Sequence, residues 1–466
     1  KEFLAYRKVI GVDERGEPNG AVNEDARYSI DPHAMLNSDL PEVAKAPERV
    51  AQRLNSVGIT AIMDAMATPD ALPVYDAMQA RGGMTLRTVL AQFYDPERFR
   101  TAAGRVDFDA MVAAASQVRE KYASNPLIKA DTVKLFADGV LEGNPLSHPP
   151  TLPNAASLRP YLQPMFALDK DGLPTVTGYV DTDSPACAKA RLESAAYDDA
   201  AAAASFTREH GFSPAQCIIS DGQLQHSREV ILEFARRFHA AGFNLHIHAI
   251  GDRAVRTAVD AIELARASDG NSRTRDGLAH VQLADSSDIS RIGRDHLYVA
   301  FTYSWMTTST GYDVTVIPFL EKVSGNSYAA LHRPQGYYDL NGYAVRSVKD
   351  AGGIAAAGSD APVETRDPRP FVNLAAAITR RAGNLPPLNA HQSLNVFEAL
   401  DAYTINGARM LGLDKDAGSI EVGKSADFVV LDRDIVKLAA TGKAADIAAT
   451  QVKETWFQGR PVYQGR

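Results

Sequence analysis

The sequence predicts an α/β fold in which parallel strands form a TIM-type (β/α)8 barrel. Short apolar runs alternate with amphipathic stretches over most of the chain, which is typical of parallel strands joined by crossover helices. The chain has 466 residues and is 45% apolar, so it can fill a large core. A β-rich segment at the C-terminus indicates a second, smaller unit.

Several apolar runs have the length and composition of buried strands. They are residues 58–65, 84–93, 132–139, 243–250, 277–282, 297–302 and 353–360. The stretch before 243–250 predicts a helix, which Ser227 can cap and Gly242 can end. Because a (β/α)8 barrel has eight strands, these runs leave the barrel one strand short.

Two regions depart from the alternation of strand and helix. A proline-rich segment from Val140 and an Ala-rich helical stretch after it form an insertion over about 140–242. Such insertions usually cover an active site, and packing between domains is the alternative. After Leu413, alternating apolar residues and Gly-centred turns predict part of a small β-sandwich over 414–466. The barrel is therefore assigned to 1–413.

Composition excludes several classes of partner. The net charge is −8, and Lys and Arg are dispersed, so we expect neither nucleic acid nor an anionic membrane as a partner. No segment reaches the roughly 18 apolar residues of a membrane span. Cys187 and Cys217 are too few for a disulfide framework or a cysteine-based zinc site, but they can form one bridge. A small-molecule substrate fits best, a homo-oligomer is allowed, and the compartment stays open between cytoplasm and periplasm.

A lysine lies inside one of the apolar strands. Lys134 shares a strand face with Phe136 and Asp138, where a charged ammonium is costly. Desolvation lowers the pKa of such a lysine and makes it nucleophilic. It can form a Schiff base, or a carbamate that bridges metals. An ion pair with Asp138 or another carboxylate is the structural alternative.

Imidazoles and a carboxylate lie at other strand ends. His246 and His248 share one face of their strand, His280 lies in the next strand, and Asp360 follows a later one. A buried histidine is more often satisfied by hydrogen bonds than by a metal, and Asp360 could equally cap a turn. A lysine, two histidines and an aspartate at four strand ends together favour a metal or catalytic site.

The order of these motifs resembles a known family. It is carried by VKLFADG, HIHAIGDRAV, GLAHVQ and GSDAPVE, followed by AYTINGARMLGL and GSIEVGKSADFVVLD. From about Val9 to the C-terminus the chain resembles the amidohydrolase superfamily, in the amidohydrolase family 3 branch that includes N-substituted formamide deformylase-like enzymes. The resemblance is weakest in the insertion. It implies a metal-dependent hydrolase barrel with a small β-sandwich.

The resemblance also implies a set of site residues. Lys134 would be the carboxylated lysine between two divalent metals, usually zinc, and His248 and His280 would be metal ligands. Asp360 would bind metal and act as the general base toward a metal-activated hydroxide. The expected reaction is hydrolysis of a C–N bond in an amide, formamide or cyclic amide.

The family pattern has a His-x-His on its first barrel strand that this sequence does not contain. The resemblance therefore predicts that roughly 100 residues of the pattern precede this chain, including one strand of the eight. It also predicts an incomplete binuclear site that binds one metal weakly or none. The alternatives are an inactive amidohydrolase-like protein and a metal-free lyase that uses Lys134 as a Schiff base.

Further residues near these strand ends are candidates for substrate binding. They are Arg253, Tyr303 and Trp305, with ordinary packing as the alternative for the two aromatic residues. For Asp252, at the start of a predicted helix, we expect a capping role.

Overall fold

A computed structural model describes residues 10–13, 15, 17–22, 40–82, 84–363 and 367–465. In chain order, the strands are β1 (Ile10–Val12), β2 (Pro18–Val22), β3 (Ala61–Ala67), β4 (Arg87–Phe93), β5 (Ile128–Phe136), β6 (Pro164–Leu168), β7 (Pro174–Tyr179), β8 (Asn244–Ala249), β9 (Gly277–His280), β10 (Tyr298–Thr302), β11 (Ile354–Gly358), β12 (Phe428–Leu431), β13 (Val452–Phe457) and β14 (Arg460–Gln464). Val9, the predicted start of the family resemblance, lies outside the described residues.

The centre of the molecule is a curled sheet of seven parallel strands in the order β11-β10-β9-β8-β5-β4-β3. These are the seven strands that the sequence predicts, so the α/β class and the parallel sheet are confirmed. Within the described residues, β3 and β11 are the two edges of this sheet. Strand β9 ends at His280 rather than at 282, because His280 and Val281 have φ angles of 76° and 44° that turn the chain.

The helices are α1 (Leu40–Lys45), α2 (Glu48–Ser56), α3 (Leu72–Arg81), α4 (Phe108–Tyr122), α5 (Pro185–Leu192), α6 (Ala200–His210), α7 (Arg228–Ala240), α8 (Asp252–Asp269), α9 (Ser286–Arg294), α10 (Thr310–Leu320), α11 (Tyr328–Leu331), α12 (Tyr337–Asn341), α13 (Val345–Ala351), α14 (Pro370–Thr379), α15 (Val396–Tyr403), α16 (Ile405–Met410) and α17 (Ile435–Ala440). The Ser227 side chain caps α7 by accepting a hydrogen bond from the Val230 amide, as predicted. Helices α7 and α8 pack on each other and on β8, and their apolar faces fill the main core.

The segment between β5 and α7 contains the hairpin β6–β7 and the helices α5 and α6. It has its own small core, in which the side chains of Val180, Phe206 and the two cysteines are buried. The bridge that the sequence allows between Cys187 and Cys217 is present. Helix α7, which follows this segment, packs on α8 and β8, and the extent of the insertion over about 140–242 stays a prediction.

The C-terminal strands β12, β13 and β14 form a three-stranded antiparallel sheet. An ion pair between Arg87, at the start of β4, and Asp427, just before β12, joins this sheet to the large one. The Thr455 hydroxyl donates to the Asn55 carbonyl at 2.6 Å, which adds a contact to α2. None of the helices in the described part of the chain is long and apolar enough to cross a membrane.

Candidate active site

The strand register brings the predicted site residues together at the C-terminal end of the parallel sheet. Lys134 pairs with His246 across β5 and β8, and Phe136 pairs with His248 one layer closer to the strand ends. His280 lies beside Ala249 at the end of β9. This is the end at which α/β barrels carry their chemistry.

Lys134 is buried without a hydrogen bond or ion pair to any described residue. Its side chain is 3% exposed, and its Nζ lies 4.7 Å above the centre of the Phe136 ring, so the amine reaches the layer of His248. Burial lowers the pKa of Lys134 to about 8, while the negative charge of Asp360 opposes that shift. The predicted alternative of an ion pair with Asp138 is not observed.

The imidazoles of His248 and His280 meet edge to face, with ring centres 4.8 Å apart. Trp305 stacks on His280 with ring centres 5.3 Å apart, and the centre of the Phe136 ring lies 4.8 Å from that of His248. Burial lowers the pKa of His248 to about 3, and Lys134 adds to that shift. Burial, with His248 and Lys134, also holds the pKa of His280 well below its usual range. Both rings are therefore neutral near pH 7.

Neutral rings leave nitrogen lone pairs available, and these lone pairs have no protein partner. The Nδ1 atoms of His246, His248 and His280 are buried and form no hydrogen bond with the described residues. The Nε2 of His248 donates to the Gly139 carbonyl at 3.0 Å. His248 is thus held in the tautomer that keeps its Nδ1 free to bind a ligand.

Asp360 follows β11 in a strained backbone conformation. Its φ is 50°, and its carboxylate accepts no hydrogen bond from the described residues. The Ser359 hydroxyl, rather than Asp360, accepts the Ala361 amide in this turn at 3.3 Å. Burial raises the pKa of Asp360 to about 6, and the charge of Lys134 opposes the rise. Positive φ angles at His280, Val281 and Asp360 place backbone strain in the loops that follow β9 and β11.

Two of the residues predicted to bind substrate, Arg253 and Tyr303, contact other parts of the protein. The Arg253 guanidinium donates hydrogen bonds to the carbonyls of Ser157, Asp221 and Gly222. It therefore holds two segments of the insertion, one near its start and one near residue 221. Tyr303 is fully buried, with its ring beside those of Phe301 and Tyr403. Contact of Arg253 or Tyr303 with a substrate stays a prediction, as it does for Trp305.

The expected capping role of Asp252 is wrong. Its carboxylate accepts hydrogen bonds from the Leu158 amide, at 2.7 Å, and from the Tyr337 hydroxyl. The N-cap position of α8 is occupied by Gly251 instead, and Asp252 is the first residue of the helix. The side chain therefore joins α8 to the insertion and to α12.

The donor set matches a divalent cation in part. Neutral imidazoles with free lone pairs are ligands for zinc and similar metals, and His248 and His280 supply two at adjacent strand ends. Among the residues that the structure describes, however, no three His, Cys, Asp or Glu side chains lie close enough together to hold one ion. Lys134 and Asp360 would have to supply the remaining ligands.

The architecture is a parallel α/β sheet with candidate ligands at its strand ends, and solved structures share this fold. An uncharacterized metal-dependent hydrolase from Pyrococcus furiosus superposes with a TM-score of 0.57 at 17% identity, over 94% of this chain and 70% of that protein. The related structure from Pyrococcus horikoshii OT3 gives 0.55 at the same identity, over 95% and 70%. These similarities show the fold.

The profile of the amidohydrolase family matches residues 7–463, so this chain belongs to the amidohydrolase family. The family that the motifs predict is thereby confirmed. The chain is 32% identical to N-substituted formamide deformylase of Arthrobacter pascens over 253 residues, and 27% identical to the putative amidohydrolase YtcJ of Bacillus subtilis (strain 168) over 255 residues. Each match covers 53% of this chain and 42% of the relative.

Proposed function

We propose that the protein is a hydrolase that cleaves a C–N bond other than a peptide bond, in a small amide, formamide or cyclic amide. One observation carries the proposal: two neutral, buried imidazoles with unpartnered nitrogens contact each other beside an unpaired lysine amine, at the catalytic end of the barrel strands. Membership of the amidohydrolase family supports the same reaction class. The formamide deformylase relative supports an amide-type substrate.

His248, His280, Lys134 as its carbamate, and Asp360 would hold a divalent cation, for which zinc is the first choice. The unprotonated Lys134 amine adds to the carbon of CO2 and releases a proton to solvent, which converts a neutral amine into a carbamate with anionic oxygen ligands. Such a cation, when bound, lowers the pKa of a water ligand and polarises a carbonyl group. The number of ions, one or two, is part of the experimental test.

Asp360 would act as the general base. It takes a proton from the attacking water, the water oxygen adds to the carbonyl carbon, and the proton passes to the leaving nitrogen as the C–N bond breaks. Trp305 and Phe136 flank the imidazoles and would exclude bulk water from the reacting groups. Arg253 and Tyr303 remain predicted substrate-binding residues.

The remaining assignments belong to the same proposal. The barrel is assigned to 1–413 and the small β-sandwich part to 414–466, and the partner is a small molecule rather than nucleic acid. A homo-oligomer is compatible with this assignment.

The test compares metal content and activity in two lysine variants. Purified protein is titrated with Zn2+ against a competing chelator, so that a weakly held ion is also counted. It is then assayed in the presence of Zn2+ on N-substituted formamides, N-acyl amines and cyclic amides. We expect Lys134→Ala to lose bound metal and hydrolysis. Lys129→Ala is the matched control, since Lys129 lies on the same strand but donates to the Gly412 carbonyl at 2.5 Å. Unchanged metal stoichiometry in Lys134→Ala would refute the proposed ligand role.

The unpaired amine of Lys134 also favours a second candidate, a metal-free Schiff-base lyase. That function predicts borohydride trapping of a carbonyl substrate on Lys134 in metal-free protein. Hydrolysis that requires Zn2+, without trapping, excludes the lyase. Tight metal binding without hydrolysis of any substrate would favour an inactive amidohydrolase-like protein.

A further inference from the structure

The carboxylate of Asp138 joins separate segments of the chain beside the candidate site. It lies two residues beyond β5 and is 2% exposed. Its Oδ1 accepts the Ile250 amide at 3.0 Å, and its Oδ2 accepts the amides of Gly251 at 2.8 Å and Ala156 at 3.0 Å. One side chain thus fixes both the turn that follows β8 and the first part of the insertion.

The same carboxylate lies against the ring of His248. Its Oδ1 is 3.5 Å from His248 Nε2, which donates to the carbonyl of the adjacent Gly139. The Nε2 edge of the ring therefore faces two oxygen atoms, and this surrounding favours a proton on Nε2. This arrangement disfavours the other tautomer, in which Nδ1 would carry the proton and could bind nothing.

Close approaches at two glycines show that these segments are fitted to one another. A Cβ on Gly251 would lie 2.1 Å from the Ala156 carbonyl oxygen, and one on Gly139 would lie 2.3 Å from the Asn154 side-chain oxygen. The Arg253 amide also donates to the Ala156 carbonyl at 3.0 Å. A side chain at Gly251 would push the insertion away from the loop that follows β8, and one at Gly139 would displace the Asn154 side chain.

We propose that Asp138 is a positioning residue that, together with the Gly139 carbonyl, fixes the Nε2–H tautomer of His248 and docks the insertion onto the same loop. The docked insertion and the orientation of a candidate metal ligand therefore depend on one carboxylate. This inference rests on the proposed function only in assigning His248 to the metal; the tautomer itself is a property of the metal-free protein.

The experiment compares two buried aspartates that both hold the insertion. Asp138→Asn replaces an acceptor with an NH2 group that faces backbone N–H donors. Asp252→Asn is the matched control, because Asp252 also accepts from the insertion, at the Leu158 amide, but no contact joins it to His248. Long-range 1H–15N NMR of metal-free protein labelled at histidine reports the His248 tautomer, and hydrogen exchange reports docking of residues 154–158.

We expect the wild-type protein and Asp252→Asn to show the Nε2–H tautomer of His248. Asp138→Asn should show a mixture of tautomers, and Zn2+ affinity measured against a competing chelator should fall by about 10- to 100-fold. Both variants should exchange the amides of 154–158 faster. An unchanged tautomer in folded Asp138→Asn, or an Nδ1–H tautomer in the wild type, would overturn the proposal.

If Asp138→Asn does not fold, the wild-type protein decides the question. Couplings across the hydrogen bonds from the amides of Ala156, Ile250 and Gly251 to the Asp138 carboxyl carbon, together with the Nε2–H tautomer, support the proposal. Absence of either one contradicts it. A wild-type protein that shows this tautomer but binds no Zn2+ would refute the proposed metal site while leaving the positioning role of Asp138 intact.

Discussion

Histidines are buried at both ends of the parallel sheet, but their ring nitrogens differ in whether they have hydrogen-bond partners. At the C-terminal end, His248 and His280 are neutral and their Nδ1 atoms have no partner. Near the N-terminal end, both ring nitrogens of His239 are used. Its Nδ1 lies 2.6 Å from Asp269 Oδ2, and its Nε2 lies 2.8 Å from the Thr274 hydroxyl.

The N-terminal network continues without an unpartnered group. Asp276 accepts the Leu245 amide at 3.1 Å, the Arg266 Nε at 2.8 Å and the Thr274 hydroxyl at 2.6 Å. Polar groups satisfied in this way stabilise a fold, whereas buried groups left unsatisfied indicate a place for a ligand. The comparison therefore predicts that substitutions at the two ends change stability in opposite directions.

The largest expected effect on stability concerns the N-terminal end of the sheet, where the buried polar groups are hydrogen-bonded. Asp276→Asn should lower the free energy of unfolding by about 3–5 kcal/mol, because it removes one charge of a buried network and leaves the Arg266 cation uncompensated. Urea unfolding at pH 7, followed by circular dichroism, measures the change.

Glu42→Gln serves as the control for Asp276→Asn, since Glu42 pairs with Lys45 on the exposed surface of α1. Its expected change is within about 0.5 kcal/mol. If the two substitutions cost the same, the N-terminal network is not a source of stability and the comparison between the two ends fails.

The second-largest expected effect concerns the C-terminal end of the sheet, where buried polar groups have no partner. Lys134→Met should leave the free energy of unfolding of metal-free protein unchanged or raise it by about 1–3 kcal/mol, because an apolar chain of similar length replaces an unpaired buried amine. Activity should be lost in the same variant, as is common where a site is built at the expense of stability.

The measurement for Lys134→Met is the same urea titration, in the presence of a chelator. A fall of more than about 1 kcal/mol, beyond the range of a neutral substitution, would show that Lys134 has a structural partner. Lys129→Ala distinguishes this result from a general sensitivity of β5, since Lys129 is held by the Gly412 carbonyl.

The sequence predicts the sheet well because its strands are local signals. Each apolar run is bounded by turn residues, and parallel strands buried on both faces are recognisable without knowledge of their neighbours. The ends of the strands are less predictable. Strand β9 ends at His280 because the backbone takes positive φ angles there. Histidine and valine are not residue types from which positive φ angles can be predicted.

The candidate site was predictable where one strand carries the pattern. Alternation on β5 puts Lys134 and Phe136 on one face, and the register then sets Lys134 beside His246. What Asp138 contacts could not be predicted, because its partners are backbone amides of distant segments. For the same reason, the three carbonyls that Arg253 holds were not foreseen: backbone acceptors have no signature in the sequence.

The smallest expected effect uses pH to separate the two ends. Burial alone would lower the pKa of His239, but the hydrogen bonds and charges of Asp276 and Asp269 outweigh it, so the pKa is raised overall. A raised pKa in the folded state stabilises the fold fully below the unfolded value near 6.5, and this contribution disappears as pH rises through the folded pKa.

His239→Gln, which cannot ionise, should therefore cost more stability at pH 5.5 than at pH 9. Asp269→Asn, which removes one of the two carboxylates, should cost less than His239→Gln and show the same trend. Urea unfolding of both variants against wild type at the two pH values measures the difference, and each unit of raised pKa corresponds to about 1.4 kcal/mol. An equal loss at both pH values, or a larger one at pH 9, would mean that His239 is held as a neutral ring, like the histidines at the opposite end of the sheet.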